Sequence, residues 1–323
     1  MAVYTHLSAE VLADLIGRYD VGELVSAKGI AEGVSNSNWL VETSGSDGAG
    51  ARFILTMYER RIEMDDLPFF LDLLDFLSAR GLPVPRTIHA NDGHSWHLVD
   101  GKAVALIEFL NGVSVDRPSP AHARAVGGAL AEMHVAAKSF GLERPNPLDI
   151  GNTHRMLAAC GADALARIDR RLPAMIGVAA DLAGRWDGEL PNSIIHSDLF
   201  PDNVLMLGNK VTGLIDFYFA CNGAMAYDLA VTHAAWSFDK DGRTFHPDIG
   251  KAIMEGYEAV RPLVGSERYA LPDLAQSACI RFVASRAEDW LDTPIDAQVT
   301  RKDPMDFVRR WDFYVEAGAK AFA

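Results

Sequence analysis

One stretch of the chain carries side chains suited to moving a phosphoryl group: His196-Ser197-Asp198-Leu199-Phe200-Pro201-Asp202-Asn203, followed by Ile215-Asp216-Phe217. In nucleotide-dependent phosphoryl transfer one Asp accepts the proton of the attacking hydroxyl, while an Asn and a second Asp hold the magnesium ions that neutralise the triphosphate. Asp198 stands where the base belongs, and Asn203 and Asp216 where the metal ligands belong. Asn203 follows Asp198 by five residues, as in an H-x-D-x-x-x-x-N loop, and Asp216 follows Asn203 by thirteen. Thirteen residues accommodate a short hairpin: an apolar run over 204–207, a turn at Gly208-Asn209-Lys210, and a β-prone run over 211–217. Such a hairpin returns Asn203 and Asp216 to the same end. Ser193-Ile194-Ile195, two of them β-branched, is expected to form the strand that enters the loop, and His196 to brace it. The plain alternative is a loop of polar turn residues around ordinary strands, for which this spacing would be a coincidence.

Composition bounds the classes open to this chain. At 323 residues, 49% hydrophobic and 23% charged, it reads as a globular protein too long for one comfortable core. A net charge of −14 and a pI near 5.1 argue against a nucleic-acid or anionic-membrane surface. Cys160, Cys221 and Cys279 are odd in number, far apart and without a Cys-x-x-Cys, which fits reduced thiols and argues against structural zinc. Residues 1–10 show no secretory pattern, and no stretch approaches the ~20 apolar residues that span a bilayer. A soluble, cytoplasmic protein is expected.

The elements that must position the loop fall into two parts, 1–110 and 111–323. In the first, Ser8 caps a helix ending near Gly17-Asp20. Strands follow over 23–31, 39–43 and 52–58, forming a three-stranded meander. Residues 65–79 carry apolar residues at helical spacing up to Gly81, and two strands over 95–99 and 102–109 are joined by Asp100-Gly101. Gly33, Ser35, Asn36 and Asn38 lie in the turn between the first two strands, where backbone and short side-chain donors could meet phosphates, although a full G-x-G-x-x-G is absent. After Asn111-Gly112 the pattern turns helical. Ser119-Pro120 starts one helix, whose apolar side includes His134, expected to be a core histidine bonded to backbone. Further helices are expected over 156–183, 224–238, 248–260, 271–291 and 304–321. The backbone of the connecting segment, through Glu108 and Leu110, is the natural partner of an adenine ring. The expected fold is α+β and bilobal, a small antiparallel sheet followed by a mainly helical lobe, with ATP between them.

These residues carry a family resemblance. The His-x-Asp-x-x-x-x-Asn loop, the Ile-Asp-Phe after it, Tyr227-Asp228-Leu229-Ala230, and the helix ending Ala131-Glu132-Met133-His134 resemble the aminoglycoside phosphotransferase and choline kinase-like superfamily. Within it the chain is similar to the bacterial homoserine kinases from about residue 5 to about residue 315. That narrower resemblance rests on residues 33–38 and 53–59, the Leu67-Pro68-Phe69-Phe70 helix with Gly81-Leu82-Pro83-Val84-Pro85, and Arg281-Phe282 with Ser285-Arg286. The resemblance implies a protein-kinase-like fold, ATP and Mg2+ as cofactors, L-homoserine as substrate and a place in threonine biosynthesis. The alternatives are a kinase for another small alcohol, such as an aminoglycoside, choline or methylthioribose, or an inactive nucleotide-binding module.

One position departs from the kinase pattern. The third strand carries Thr56 where protein kinases place a phosphate-binding lysine, a threonine shared by homoserine kinases of this type. Arg60, Arg61 or additional magnesium are the candidates to supply the missing charge. For the substrate, Arg281 and Arg286 either receive a carboxylate or pair with Glu288 and Asp289 on their own helix. Tyr218, Trp236 and Trp290 read as core or pocket wall. Asp228 is expected to fix the catalytic loop and Asp202 to be a solvated loop charge, though either could meet an ammonium.

Overall fold

A computed structural model describes residues 7–30, 36–59, 63–185, 189–293 and 301–323. The chain divides into two compact units, Met1–Asn111 and Gly112–Ala323.

The first unit opens with α1 (Ala9–Ile16), whose N-terminus is capped by Ser8 Oγ accepting from Val11 N at 3.3 Å. Six strands follow: β1 (Leu24–Ile30), β2 (Asn36–Thr43), β3 (Ala51–Tyr58), β4 (Thr87–Ile88), β5 (His97–Val99) and β6 (Lys102–Glu108). They form one antiparallel sheet in the order β1-β2-β3-β6-β4, with β5 also on β6. Helix α2 (Leu67–Ser78) is inserted between β3 and β4. Asp100 and Gly101 both take positive φ, 51° and 77°, which is what the two-residue turn between β5 and β6 demands. One face of the sheet, with Trp39, Val41, Leu55, Met57, Val104 and Leu106, packs on Leu12, Leu15 and Ile16 of α1.

Two expectations for this unit are corrected. Asn36 and Asn38 belong to β2 and not to the turn before it, because Asn36 pairs with Tyr58 and Asn38 with Thr56 across to β3. Strand β4 escapes detection from sequence, since two residues show no periodicity and their strand character comes only from pairing Thr87 and Ile88 with β6.

The second unit holds α3 (Pro120–Ala137), α4 (Ile150–Cys160), α5 (Ala162–Ile168), α6 (Ala174–Arg185), β7 (Asn192–Ile195), β8 (Val204–Leu207), β9 (Lys210–Leu214), β10 (Cys221–Ala224), α7 (Met225–Trp236), α8 (Pro247–Val260), α9 (Gly265–Asp292) and α10 (Met305–Ala317). Three helices replace the single one expected over 156–183. Gly161, at φ 80°, ends α4, and Pro173 lies in the break between α5 and α6. Helix α9 begins two turns earlier than Leu271, capped by Glu267 Oε2 accepting from Val264 N at 3.0 Å, and it carries Pro272 in its interior. The helix expected over 304–321 ends at Ala317, after which Gly318–Phe322 tightens to a 3-10 turn.

Helices α3 and α8 cross at very close range. A Cβ on Gly127 would collide with the Ile253 carbonyl oxygen, and one on Gly256 with that of Arg124, so only glycine lets these backbones touch. That approach brings His134 of α3 against Tyr257 of α8. No helix among the described residues is long and apolar enough to cross a membrane. All three cysteines are free thiols.

Candidate active site

The loop after β7 is built around one buried carboxylate. Asp228, in the first turn of α7 and fully buried, accepts from His196 N at 2.6 Å, Ser197 N at 2.7 Å and His134 Nε2 at 3.0 Å. Two consecutive backbone N–H groups can converge on one carboxylate because Ser197 adopts a left-handed conformation, φ 65°. Burial raises the Asp228 pKa, but the bonds from His134 and the His196 backbone outweigh it and hold the carboxyl below its ordinary value. His134 is itself fixed by Tyr257 Oη at 2.8 Å, which accepts from Arg261 at 3.3 Å, and Arg261 donates to the buried Glu267 at 2.8 Å. The expectation of a backbone-bonded core histidine at His134 is therefore corrected: its partners are side chains, brought together by the glycine crossing of α3 and α8.

His196 braces the loop from the other side. Its Nδ1 accepts from Asp198 N at 3.3 Å, so the ring proton is on Nε2, which donates to Ile215 O at 3.0 Å. Burial pushes its pKa down and keeps the ring neutral. Trp236 Nε1 donates to Leu199 O at 2.9 Å, and Phe200 packs on Phe282 with ring centroids 4.9 Å apart.

The β8–β9 hairpin closes its own base through Ile215 N donating to Asn203 O at 3.0 Å, which places Asn203 and Asp216 at one end. Asn203 Nδ2 donates to Asp198 O at 2.8 Å and reaches Asp198 Oδ2 at 3.4 Å. Its Oδ1 has no hydrogen-bond donor among the described residues. Asp216 takes the left-handed conformation, φ 67° and ψ 56°, before a 3-10 turn over Phe217–Phe219. Asp216 is exposed; the dehydration its neighbours impose, then the charges of Asp198 and Asp202, push its carboxyl up to about 7. Lys302 opposes that shift.

These groups suit a divalent cation. Hard oxygen donors on Asn203 and Asp216 sit among carboxylates whose mutual repulsion a cation would relieve. No cluster of three or more His, Cys, Asp or Glu able to hold a metal alone occurs among the described residues, so an ion here would draw its remaining ligands from nucleotide phosphates and water.

The other candidate residues are distributed as follows. Arg281, 3% exposed, donates to Asp198 Oδ1 at 3.0 Å instead of pairing with Glu288 or Asp289. Arg286 donates to Asp306 Oδ2 at 2.8 Å and Asp303 O at 2.9 Å, so it ties α9 to the start of α10. Asp202 is exposed, its carbonyl accepting from Ser114 at 3.2 Å, and Tyr218 is half-buried in the turn after Asp216. In the first unit, Asn38 Oδ1 accepts from Thr56 Oγ1 at 2.8 Å, leaving the Asn38 Nδ2 donors without a partner among the described residues. Asn36 Oδ1 is buried and has no partner among the described residues. Glu108, at the end of β6, accepts from Arg86 N at 3.2 Å, and Leu110 is half-buried after it. Gly33, Ser35, Arg60 and Arg61 lie outside the described residues. A cavity of about 400 Å³ in the first unit is lined by Asp20, Phe53, Arg86 and His89 among others, and none of the expected nucleotide-binding residues lines it.

The link from Arg281 to Asp198 has one sequence signal: a lone arginine in the apolar run Ala278-Cys279-Ile280-Arg281-Phe282-Val283-Ala284 must bury beside a partner.

The chain belongs to the phosphotransferase enzyme family (APH), whose model matches residues 26–263. Within that family it is 46% identical over 322 residues to a homoserine kinase of Rhizobium etli, covering 99% of this chain and 98% of the relative. It is 45% identical to a homoserine kinase of Methylobacterium radiotolerans, covering 98% of this chain and 97% of that one. Its fold is also that of an amicoumacin kinase solved with AMP-PNP and Ca2+, at a TM-score of 0.70 and 12% identity, with 97% of this chain and 95% of that chain covered.

Proposed function

We propose that the chain is a homoserine kinase, transferring the γ-phosphoryl group of ATP to the side-chain hydroxyl of L-homoserine to give O-phospho-L-homoserine for threonine biosynthesis. The observation that carries phosphoryl transfer is the convergence of Asp198, Asn203 and Asp216, with Asn203 bonded to Asp198 and closing the hairpin that ends at Asp216. The identity over nearly the whole length to homoserine kinases supports the acceptor.

In this reading Asp198 orients the substrate hydroxyl and takes its proton late, because a loose transition state asks for positioning and charge neutralisation more than for a strong base. Arg281 and Asn203 fix its carboxylate from two sides. Asn203 and Asp216 are assigned to Mg2+, which when bound would neutralise the triphosphate. The backbone of Glu108 and Leu110 is assigned to adenine, and Gly33, Ser35, Asn36 and Asn38 to the phosphates. The Asn38 amide, without a partner among the described residues, and the Thr56 hydroxyl that anchors it fit a neutral phosphate contact at the position where protein kinases use lysine. The reaction takes place in the cytoplasm, where ATP and the amino-acid substrate are both available.

A coupled ADP-release assay with Mg-ATP and L-homoserine, L-serine, choline, methylthioribose and kanamycin tests the reading. Turnover of L-homoserine far above the others is expected; preferred turnover of another alcohol would overturn the substrate while leaving the reaction class.

A further inference from the structure

Arg281 has more hydrogen-bonding capacity than its contact with Asp198 uses. The side chain is 3% exposed, and one Nη donates to Asp198 Oδ1 at 3.0 Å. Among the described residues its Nε is buried without a partner and the second Nη has none. The Nε–H and the distal Nη–H point the same way along one edge of the planar guanidinium, the fork that binds both oxygens of a carboxylate. The Phe282 and Phe219 rings, with centroids 4.0 and 5.0 Å from the guanidinium carbon, hold that plane in place.

Neighbouring arginines are spent differently. Both Nη groups of Arg310 donate to backbone carbonyls, of Asp306, Asp239 and Lys240, which leaves its Nε but no complete edge unmet. Arg286 donates from one Nη to Asp303 O and Asp306 Oδ2, so it is tied to the start of α10 and not to Asp198. Only Arg281, among the described residues, is bonded to the proposed base while keeping a whole guanidinium edge unpartnered. Arg310 also keeps a buried, unmet Nε, so what sets Arg281 apart is that its open edge adjoins the proposed base, where a ligand could meet a donor that is costly to leave unpaired.

We propose that Arg281 receives the carboxylate of the substrate on its Nε edge while its other Nη holds Asp198, so that one side chain selects amino-acid-like alcohols and aligns the base with their hydroxyl. The inference rests on the homoserine-kinase reading. Homoserine fits this arrangement because two carbons separate its hydroxymethyl carbon from its carboxylate carbon. That chain is short enough for one end to meet Asp198 while the other meets the adjoining guanidinium. An alcohol with no anionic group leaves the edge empty.

The test compares L-homoserine with 3-aminopropan-1-ol, which is homoserine without its carboxylate, in the wild-type protein and in Arg281→Gln and Arg281→Lys. Wild type is expected to prefer L-homoserine by about 10³-fold in kcat/KM, the scale set by an unmet buried charge. Loss of Asp198 alignment in Arg281→Gln lowers both substrates alike, whereas loss of the carboxylate contact lowers homoserine alone. The ratio between the two substrates should therefore collapse to within about tenfold, with Arg281→Lys between the extremes, since a point charge replaces the fork. An unchanged ratio in a folded variant, with both substrates reduced equally, would make Arg281 a brace of Asp198 only and overturn the proposal. Should the variants not fold, the wild-type comparison still decides, because equal use of the two alcohols also overturns it. Failure of wild type to phosphorylate homoserine at all would instead overturn the functional reading.

Discussion

Asp228→Asn isolates the brace behind Asp198, the proposed base, with almost no change in volume. Asp228 Oδ2 accepts from His196 N and His134 Nε2, and Oδ1 from Ser197 N. An asparagine has one acceptor oxygen, so its best orientation keeps the Oδ2 bonds and turns an amide donor onto the Ser197 N–H. A buried N–H left unmet costs about 1–3 kcal/mol, and converting the two surviving bonds from charged to neutral costs about 1 kcal/mol each. The sum, about 3–5 kcal/mol, would lower the melting midpoint of a unit this size by about 10 °C or more. Catalysis should fall further than stability alone requires. The left-handed Ser197, no longer clamped, releases about 1–3 kcal/mol of strain by relaxing, and a displacement of Asp198 of about 1 Å costs on the order of 10² in kcat. Urea denaturation and ADP-release kinetics on the same preparation read both effects. The acid limb supplies a second check. A carboxylate whose folded pKa lies below its unfolded value, about 4, contributes stability that is complete above that value and lost as pH falls through the folded pKa. Wild type should therefore converge on the variant's stability at low pH. A variant matching wild type in midpoint and kcat at pH 7.5 would refute the idea that this carboxylate sets the loop.

Three other outcomes follow from the geometry. Asp198→Asn should reduce turnover by about 10³-fold or more while calorimetry finds ATP binding nearly unchanged, since the residue is assigned to the hydroxyl and not to the nucleotide. Asp216→Asn should abolish turnover yet raise the ligand-free melting temperature above pH 7. The raised carboxyl contributes stability that is full below about 4 and lost as pH rises through about 7, so the gain must vanish in acid; equal melting at pH 5 and 8 relative to wild type would contradict this. Gly256→Ala drives a methyl into the Arg124 carbonyl oxygen and should destabilise by about 3 kcal/mol in urea denaturation, with kcat falling as His134 shifts; wild-type stability would show that α3 and α8 can separate freely.

What the sequence disclosed and what it withheld divide along the range of the interactions. Asp198, Asn203 and Asp216 were legible because their spacing is local: a loop and a hairpin of fixed length determine where they meet, and the structure closes that hairpin through Asn203 and Ile215. The meander of β1, β2 and β3 was legible for the same reason, each strand following the last through a short connection. The partners of the buried charges were not. Arg281 lies 83 positions from Asp198, and His134 lies 94 from Asp228, so either arginine of α9 could equally be read as paired within its own helix until α9 is packed. The breaks within 156–183 were hidden differently, because apolar periodicity runs on across Gly161 and Pro173 while the backbone cannot.

The two kinds of residue have different consequences for specificity. A kinase acting on any small alcohol needs the local set, since a base and two metal ligands serve every acceptor. The discrimination among acceptors has to come from groups that reach the reacting centre from elsewhere in the chain, and the group proposed for it here is the buried Arg281 of α9, which is bonded to Asp198. Because that contact joins α9 to Asp198, on the proposed roles a change of acceptor cannot be made by altering Arg281 alone without also moving Asp198. An engineered switch to an uncharged alcohol should therefore require a second substitution that restores a donor to Asp198 Oδ1. Arg281→Gln alone should lower homoserine turnover without a matching gain on 3-aminopropan-1-ol, whereas a double variant that supplies a neutral donor to Asp198 from α7 or α9 should recover it. Full activity of the single variant on the uncharged alcohol would show that base alignment and acceptor selection are separable.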